Sequence, residues 1–287
     1  MTMRCISRSN LGATAALLSY FRPASVSSFS FFAVADRKSI FQSVSSSRLS
    51  SSSSLSSTSM DGTSSITTPL KVLALHGSGG TAEEFPKRLD ALNKALMSYS
   101  SDGDNLELEL EITAIQAPFV KEDGYSWWTM PPGVRSFNAK EYTGFEESAT
   151  KVLDVWEKGG FDIVLGHSQG AILLSTLLAL KRTPYYPPGG YIMNGVSFPN
   201  PYTEQLESLN IDTDDDDSNG SPNILFLLGR QDQIAPNSTG EKLRDLLAKG
   251  GFEVSSCYHD GGHGFPEEEV DSEAMKTIAE WIMQRRR

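Results

Sequence analysis

The sequence predicts an α/β fold, in which a mostly parallel sheet of about six strands is flanked by helices on both faces. Two observations lead to this expectation. Short apolar runs alternate with longer amphipathic stretches along the chain, at the spacing of right-handed βαβ units. Three of the runs, residues 70–75, 161–165 and 224–228, are almost continuously apolar, as strands are when a parallel sheet buries both of their faces.

Each element follows from the local pattern. Strands are expected at residues 70–75, 106–115, 161–165, 191–196, 224–228 and 252–258. The second of these alternates apolar and acidic residues, which indicates a strand at or near the sheet edge. Residues 116–140, rich in Pro, Gly and aromatic residues, predict a long loop. Helical periodicity, with Thr81 available to cap the first helix, predicts helices at 82–97, 143–157, 169–181, 203–209, 238–249 and 267–284.

Residues 1–60 have the composition of a targeting segment. One residue in three is Ser, and Asp36 is the only acid beside six Lys and Arg. This Ser-rich, Arg-bearing, acid-poor composition is typical of an organelle transit peptide. We therefore expect one domain over residues 69–284 in a plastid or mitochondrion, or in the cytoplasm if translation starts at Met60.

Composition disfavours several other kinds of protein. The net charge of −11 is carried by the chain after residue 60, whereas nucleic-acid binding needs a basic face. No apolar stretch reaches 18 residues, so no membrane span is expected. Neither the two cysteines, Cys5 and Cys257, nor the acidic run at 212–217 has metal-ligand spacing. We expect no disulfide, metal or cofactor, and a solvated loop at the acidic run. The sequence predicts no oligomeric state.

The motif Gly166-His167-Ser168-Gln169-Gly170 indicates nucleophilic chemistry. It directly follows a predicted strand and opens a predicted helix. This is the context of a nucleophile elbow in the α/β-hydrolase fold, where a tight turn lifts the serine hydroxyl above the sheet edge. The motif alone is weak evidence, and the strand–turn–helix context makes it specific. Ser168 is therefore the candidate nucleophile.

Asp232 is the candidate acid of a catalytic triad. This fold orders its triad along the chain as Ser, acid and His, each in a loop after a strand. Asp232 lies just after the predicted strand at 224–228, whereas the acidic run at 212–217 precedes that strand and would lie at its other end.

His263 is the candidate base, because a serine hydroxyl needs a neighbour that takes its proton. It follows Gly261 and Gly262, and this flexible pair lets the loop turn back toward the nucleophile. His259 is the competitor, but it lies closer to the end of the predicted strand, with no such turn before it.

The run His76-Gly77-Ser78-Gly79-Gly80 follows the first predicted strand. In this fold that loop supplies one backbone N–H of the oxyanion hole, and the residue after the nucleophile supplies the other. The expected donors are the main-chain amides of Ser78 and Gln169. A phosphate-binding loop is disfavoured, because the run lacks the Walker Lys-Ser/Thr pair. His76 and His167 are expected to be packed residues.

Trp127 and Trp128 are the candidate substrate-binding residues. They are adjacent in the long predicted loop, and neighbouring side chains of an extended chain point to opposite sides. We therefore expect at least one of them to line an acyl pocket.

Five motifs occur together along the chain: Leu-His-Gly at 75–77, the Trp-Trp loop, the run 161–170, Gly229-x-x-Asp232 and Gly261-Gly262-His263-x-x-Pro266. Jointly they resemble the FSH-type serine hydrolases over about residues 69–284. The resemblance implies a compact α/β-hydrolase without a large lid that cleaves esters or thioesters, with Ser168, Asp232 and His263 as its triad. The sequence departs from the family at His167, where Phe is frequent, and at the loop 212–219, which looks like an insertion.

The expected reaction is acyl transfer from a small-molecule carboxylic ester to water, through an acyl-enzyme on Ser168. The aromatic loop favours an ester with an acyl chain over a peptide. Two alternatives stay open: a thioesterase acting on acyl-CoA or acyl-carrier protein, which the same triad would serve, and a slow-turnover ligand receptor that keeps the hydrolase pocket.

Overall fold

The computed structural model describes residues 68–100, 108–211, 221–267 and 271–285. Its strands are β1 (Thr68–Leu75), β2 (Leu108–Ile115), β3 (Phe119–Lys121), β4 (Gly124–Ser126), β5 (Ile163–His167), β6 (Tyr191–Asn194), β7 (Asn223–Gly229) and β8 (Glu253–His259). Its α-helices are α1 (Asp90–Ser100), α2 (Phe145–Gly159), α3 (Gln169–Ala179), α4 (Thr203–Glu207), α5 (Asn237–Lys249) and α6 (Ser272–Gln284). The expected targeting segment, Cys5 and the acidic run 212–217 lie outside the described residues.

Six strands form one sheet in the order β2-β1-β5-β6-β7-β8, and every neighbouring pair is parallel. This confirms the predicted parallel sheet, with the acid-bearing strand β2 at one edge. Because all six strands run the same way, the loops after β1, β5, β7 and β8 emerge at the same end of the sheet. This is where such folds place their ligands.

Helices cover both faces of the sheet. Helices α2, α3 and α5 pack on one face, around the buried Trp156, Leu173 and Leu243. Helices α1 and α6 pack on the other, around Leu96 and Ile278. Every residue of α3 is buried, which explains its largely apolar sequence and fixes the helix that begins directly after the predicted nucleophile. In the part of the chain that the structure describes, no helix combines the length and apolarity needed to cross a bilayer.

The first helix begins later than the expected residue 82. A 3₁₀ turn at Pro86–Leu89 leads into α1, and residues before it form turns in which Thr81 Oγ1 accepts the Glu84 amide at 3.1 Å. Proline lacks an N–H and has a fixed φ, so it is favoured in the first turn of a helix. The last helix likewise begins at Ser272 instead of residue 267.

The predicted loop at 116–140 contains an antiparallel hairpin, β3–β4. The hairpin is tied to the loop after β1 by two backbone hydrogen bonds, from Gly79 N to Tyr125 O at 2.8 Å and from Tyr125 N to Gly80 O at 3.1 Å. Gly124 has φ +135°, and a Cβ there would lie 2.4 Å from Gly79 O. The close approach of the two segments therefore requires glycine at position 124.

Candidate active site

Ser168 lies at the sharp turn between β5 and α3, with φ 50° and ψ −117°. The turn needs small neighbours. A Cβ on Gly166 would lie 2.6 Å from Ala171 Cα, and a Cβ on Gly170 would lie 2.3 Å from Leu75 O. Both glycines of the motif are thus required by backbone contacts, and the turn leaves the serine side chain at the cleft that opens over the sheet edge.

The structure brings together the three residues expected to form a triad. His263 Nε2 lies 2.8 Å from Ser168 Oγ, and its Nδ1 lies 2.7 Å from Asp232 Oδ2. With the ring hydrogen on Nδ1, His263 donates a hydrogen bond to Asp232 and accepts one from the hydroxyl of Ser168. The residues come from the loops after β5, β7 and β8, whose ends share one edge of the sheet.

Asp232 is held in its ionised form. Burial raises the pKa of this carboxyl, but the hydrogen bonds from His263 and the backbone, together with the charge of His263, outweigh burial and lower its pKa overall. The backbone donors are Ile234 N at 2.8 Å and Ala235 N at 2.9 Å, both to Oδ1. A carboxylate so fixed orients the imidazole.

Gly195, immediately after β6, makes room for the base. It has φ +56°, and a Cβ there would lie 3.0 Å from Cε1 of His263 and 3.1 Å from its Nδ1. The sequence predicts this residue inside a strand, at 191–196, whereas β6 ends at Asn194. The signal in the sequence that could have indicated this role is a glycine at the carboxyl end of a central strand.

His259 does not reach the nucleophile. It ends β8, its side chain is 1% exposed, and its Nδ1 lies 3.7 Å from Asp271 Oδ2. Neither ring nitrogen has a hydrogen-bond partner among the described residues. Burial is the main cause that lowers the pKa of His259, so its ring stays neutral beside the site.

The loop after β1 lines the cleft, and two hydrogen bonds fix the orientation of its Gly77–Ser78 peptide. Gly77 O accepts hydrogen bonds from His76 Nδ1 at 2.7 Å and from Gly80 N at 3.0 Å. The C=O and N–H of a trans peptide point in opposite directions, so the N–H of Ser78 points away from these partners. The amide of Gln169 opens α3, where a helix has no internal acceptor for it.

His76 is the packed residue that the sequence predicts. It is fully buried, and its Nε2 accepts the Ala117 amide at 3.1 Å. Burial is the main cause that lowers its pKa, which leaves the ring neutral. His167 is also buried, between the rings of Phe85 and Phe265. Both histidines also contribute atoms to the lining of the cleft.

Trp127 and Trp128 do not lie at the cleft. Both are buried, at 0% and 1% exposure, and neither is among the residues that line it. The two rings contact different neighbours, and both are covered by the rest of the core. Trp127 Nε1 donates to His76 O at 2.7 Å, and Trp128 stacks on Tyr142 at 4.2 Å between ring centroids. The expectation that one of them lines an acyl pocket therefore needs correction.

The cleft has a volume of about 420 Å³. It is lined by His76, Gly77, Ser78, Gly79, Gly80, Thr81, Glu84, Phe85, Arg88, Asp123, His167, Ser168 and His263. The loop after β1 and the turns before α1 thus form most of its wall. Within the described ranges, no three His, Cys, Asp or Glu side chains are grouped so that they could hold a metal ion.

A parallel six-stranded sheet that presents an elbow serine beside a histidine and an aspartate defines a serine hydrolase of the α/β-hydrolase fold. The family model described as "Serine hydrolase (FSH1)" matches residues 65–275. The chain belongs to this family and is a hydrolase.

Curated relatives carry the name esterase. "Esterase C25G4.2" of Caenorhabditis elegans is 26% identical over 210 residues, which cover 69% of this chain and 86% of that protein. "Esterase OVCA2" of Xenopus tropicalis is 32% identical over 124 residues, which cover 39% of this chain and about half, 54%, of the relative.

Solved structures support the fold. A Bacillus cereus carboxylesterase superposes with a TM-score of 0.52 at 16% identity, covering 76% of this chain and 89% of that one. Arabidopsis thaliana SOBER1 superposes with a TM-score of 0.50 at 18% identity, covering 76% and 99%. At these identities the likeness shows the shared architecture alone.

Proposed function

We propose that the protein hydrolyses carboxylic esters of small molecules through an acyl-enzyme on Ser168. The observation that carries this proposal is the continuous hydrogen-bonded chain from Asp232 through His263 to Ser168, with links of 2.7 and 2.8 Å. This hydrogen-bonded triad lies at an open cleft, beside the backbone amides of Ser78 and Gln169, for which the described part of the structure shows no acceptor. A serine hydroxyl becomes a useful nucleophile only when a base can take its proton, and this arrangement supplies that base.

In the proposed acylation, Ser168 Oγ forms a bond to the ester carbonyl carbon while its proton moves to His263 Nε2. The N–H groups of Ser78 and Gln169 donate to the developing oxyanion. When the carbon–oxygen bond to the alcohol breaks, His263 returns the proton to the leaving oxygen. Water then attacks the acyl-enzyme with the same assistance, which releases the acid and restores the serine. Asp232 holds the imidazole tautomer throughout.

A thioester would meet the same groups in the same order, so a thioesterase is the second candidate. Profiling the enzyme against p-nitrophenyl esters of graded chain length, beside acyl-CoA thioesters, ranks the two substrate classes by kcat/KM. A receptor that turns over slowly would instead bind its ligand with kcat close to the uncatalysed rate.

The first prediction tests the nucleophile. A fluorophosphonate probe should label Ser168 covalently, and Ser168→Ala should lose both the labelling and about 10³–10⁶ in kcat. Mass spectrometry of the labelled peptide locates the adduct, and p-nitrophenyl ester hydrolysis measures turnover.

Ser78→Ala is the matched control, because Ser78 is the other serine of the cleft and its proposed role uses only the backbone amide. This variant should keep the labelling. Full esterase activity in Ser168→Ala, or an adduct found on Ser78, would remove Ser168 from the mechanism.

A further inference from the structure

One positive charge in the cleft, that of Arg88, has no ion-pair partner among the described residues. Three charged side chains line it: Glu84, Arg88 and Asp123. Glu84 is paired with Lys87 Nζ at 2.6 Å, and Asp123 with Lys121 Nζ at 3.4 Å. Arg88 makes no ion pair with any residue that the structure describes. The chain carries a net charge of −11. Of the three charged side chains that line the cleft, Arg88 is the one without an ion pair to a described residue.

His167 adds a hydrogen-bond donor to the same cleft. It is 7% exposed, and the side-chain amide nitrogen of Asn194 lies 2.8 Å from its Nδ1. In the neutral tautomer in which Nδ1 accepts this amide N–H, the ring hydrogen sits on Nε2. Nε2 bonds to none of the described residues. A Cβ on Gly77 would lie 3.4 Å from this atom, so the unpartnered N–H lies beside the loop that supplies the Ser78 amide.

His167 keeps the same protonation state over the pH range in which the enzyme would be assayed. Burial is the largest cause that lowers its pKa to about 3, and the charges of His263 and Arg88 lower it further. The ring therefore stays neutral at every pH at which the enzyme would be assayed, and it keeps a single ring hydrogen.

Arg88 and His167 belong to one wall of the cleft. The ring of Phe85 stacks on His167 at 6.1 Å between centroids, and the 3₁₀ turn Pro86–Leu89, which carries Arg88, begins at the next residue. A guanidinium and an imidazole N–H are both donors, and a guanidinium pairs well with carboxylate and phosphate oxygens.

We propose that this wall binds a negatively charged group of the substrate, a carboxylate or a phosphate, so that the enzyme prefers esters or thioesters that carry an anionic oxygen group near the scissile bond. The inference rests on the proposed hydrolytic function and narrows its substrate class. An acidic protein repels anions over most of its surface, so an unpaired cation at the cleft selects where they bind.

Two matched substrate pairs test the preference and locate the charge. Mono-p-nitrophenyl adipate and p-nitrophenyl hexanoate share their acyl length, and only the first has a carboxylate on the acyl side. Hexanoyl-CoA and the N-acetylcysteamine thioester of hexanoic acid share their acyl group, and only the first has phosphates on the leaving group. In at least one pair we expect the anionic member to have a kcat/KM about three- to tenfold higher at low salt, since exposed charge pairs are weak and charge-assisted hydrogen bonds are stronger. The ratio should shrink as ionic strength rises.

Arg88→Gln should lose most of this ratio, and Arg88→Lys should keep part of it, because a lysine keeps the charge without the planar fork. Lys94→Gln is the control: it removes one positive charge from an exposed position on α1 outside the cleft lining, and it should keep the ratio. His167→Phe, which keeps a ring between Phe85 and Phe265, should lower the ratio by removing the Nε2 donor.

The outcomes separate the two proposals. Turnover that depends on Ser168 but shows no anionic preference in either pair, or equal ratios in Arg88→Gln and Lys94→Gln, overturns the anion site and leaves the hydrolase intact. Absence of turnover that depends on Ser168 with all four substrates overturns both. A preference that falls with salt and with loss of Arg88 supports the site, and the pair in which it occurs identifies the acyl side or the leaving group.

Discussion

His259 and His263 lie four residues apart in one segment, and their rings have opposite surroundings. His263 is hydrogen-bonded on both nitrogens, to Ser168 and to Asp232. His259 is buried at the end of β8, and neither of its ring nitrogens has a hydrogen-bond partner among the described residues. The glycine pair between them turns the chain back, as the sequence predicts, so only the second ring reaches the serine.

The second prediction distinguishes the two histidines. His263→Ala should lower kcat at least a thousandfold, because the proton acceptor is lost. His259→Ala should keep most of kcat/KM but unfold at a lower urea concentration, because it empties a buried site. Ester hydrolysis and urea unfolding by circular dichroism measure both properties, and a His259→Ala enzyme as inactive as His263→Ala would move the base to His259.

The segment after β4 that carries Trp127 and Trp128 supports the active site from the core, through hydrogen bonds to helices α2 and α3. Ser148 Oγ on α2 donates to Trp127 O, and the Gln169 side chain accepts Trp127 N at 2.8 Å and donates to Trp128 O at 3.2 Å. Gln169 is also the first residue of α3. The segment therefore fixes the helix that supplies an oxyanion-hole amide in the proposed mechanism, while its rings fill the core.

The third prediction follows from this packing. Trp128→Ala should destabilise the fold by about 3–5 kcal/mol, the usual cost of emptying a buried aromatic site. It should lower kcat/KM by a similar factor for acyl chains of every length, because the ring does not line the cleft. Urea unfolding and a series of p-nitrophenyl esters measure the two effects, with the exposed Val120→Ala on β3 as control. If Trp128→Ala instead shifts the acyl chain length at which kcat/KM is highest, the ring does line the acyl pocket.

Patterns within short segments predicted most of the elements. The apolar runs located all six strands of the main sheet, and the elbow motif located the turn, because both depend on the local period and on glycine. The late start of α1 at Asp90 and the β3–β4 hairpin were missed. The hairpin is fixed by backbone bonds to Gly79 and Gly80, more than 40 residues earlier, and no local pattern records that contact.

The candidate site was predictable to the same limit. Chain order and loop position predicted that Ser168, Asp232 and His263 lie at one edge of the sheet, where the structure places them. The space that Gly195 leaves for His263, and the inward packing of the two Trp side chains, depend on which loops meet over the sheet. The domain boundaries and the organellar location of the protein stay predictions.

At the scale of the whole molecule, the fold buries three of the four histidines of the chain in neutral form. Burial is the main cause that lowers the pKa of His76, His167 and His259. In the unfolded chain each imidazole returns to a pKa of about 6.5. Below that pH the three imidazoles bind protons in the unfolded state but not in the folded state, so the free energy of unfolding falls as the pH falls.

The fourth prediction is a pH profile of stability. The free energy of unfolding should change little between pH 8 and 7 and then decrease from about pH 6.5 downward. With a folded pKa of about 3, His167 alone would account for about 3 kcal/mol by pH 4.5. Urea unfolding at half-unit pH steps measures the profile, and His167→Phe should make its slope shallower over this range. Equal slopes in the variant and the parent protein would show that His167 does not contribute.

The backbone of Ser168 has an evolutionary consequence. A non-glycine residue at φ 50° and ψ −117° lies outside the allowed regions, which costs of order 1–3 kcal/mol. Glycine would adopt the same turn without that cost, and one mutation can convert a serine codon of the AGC or AGT type to glycine. In a protein that did not need the serine for turnover, this change would increase stability at no functional cost. A serine at this strained position suits the proposed hydrolysis, whereas a protein that only binds its ligand would fold better with glycine there.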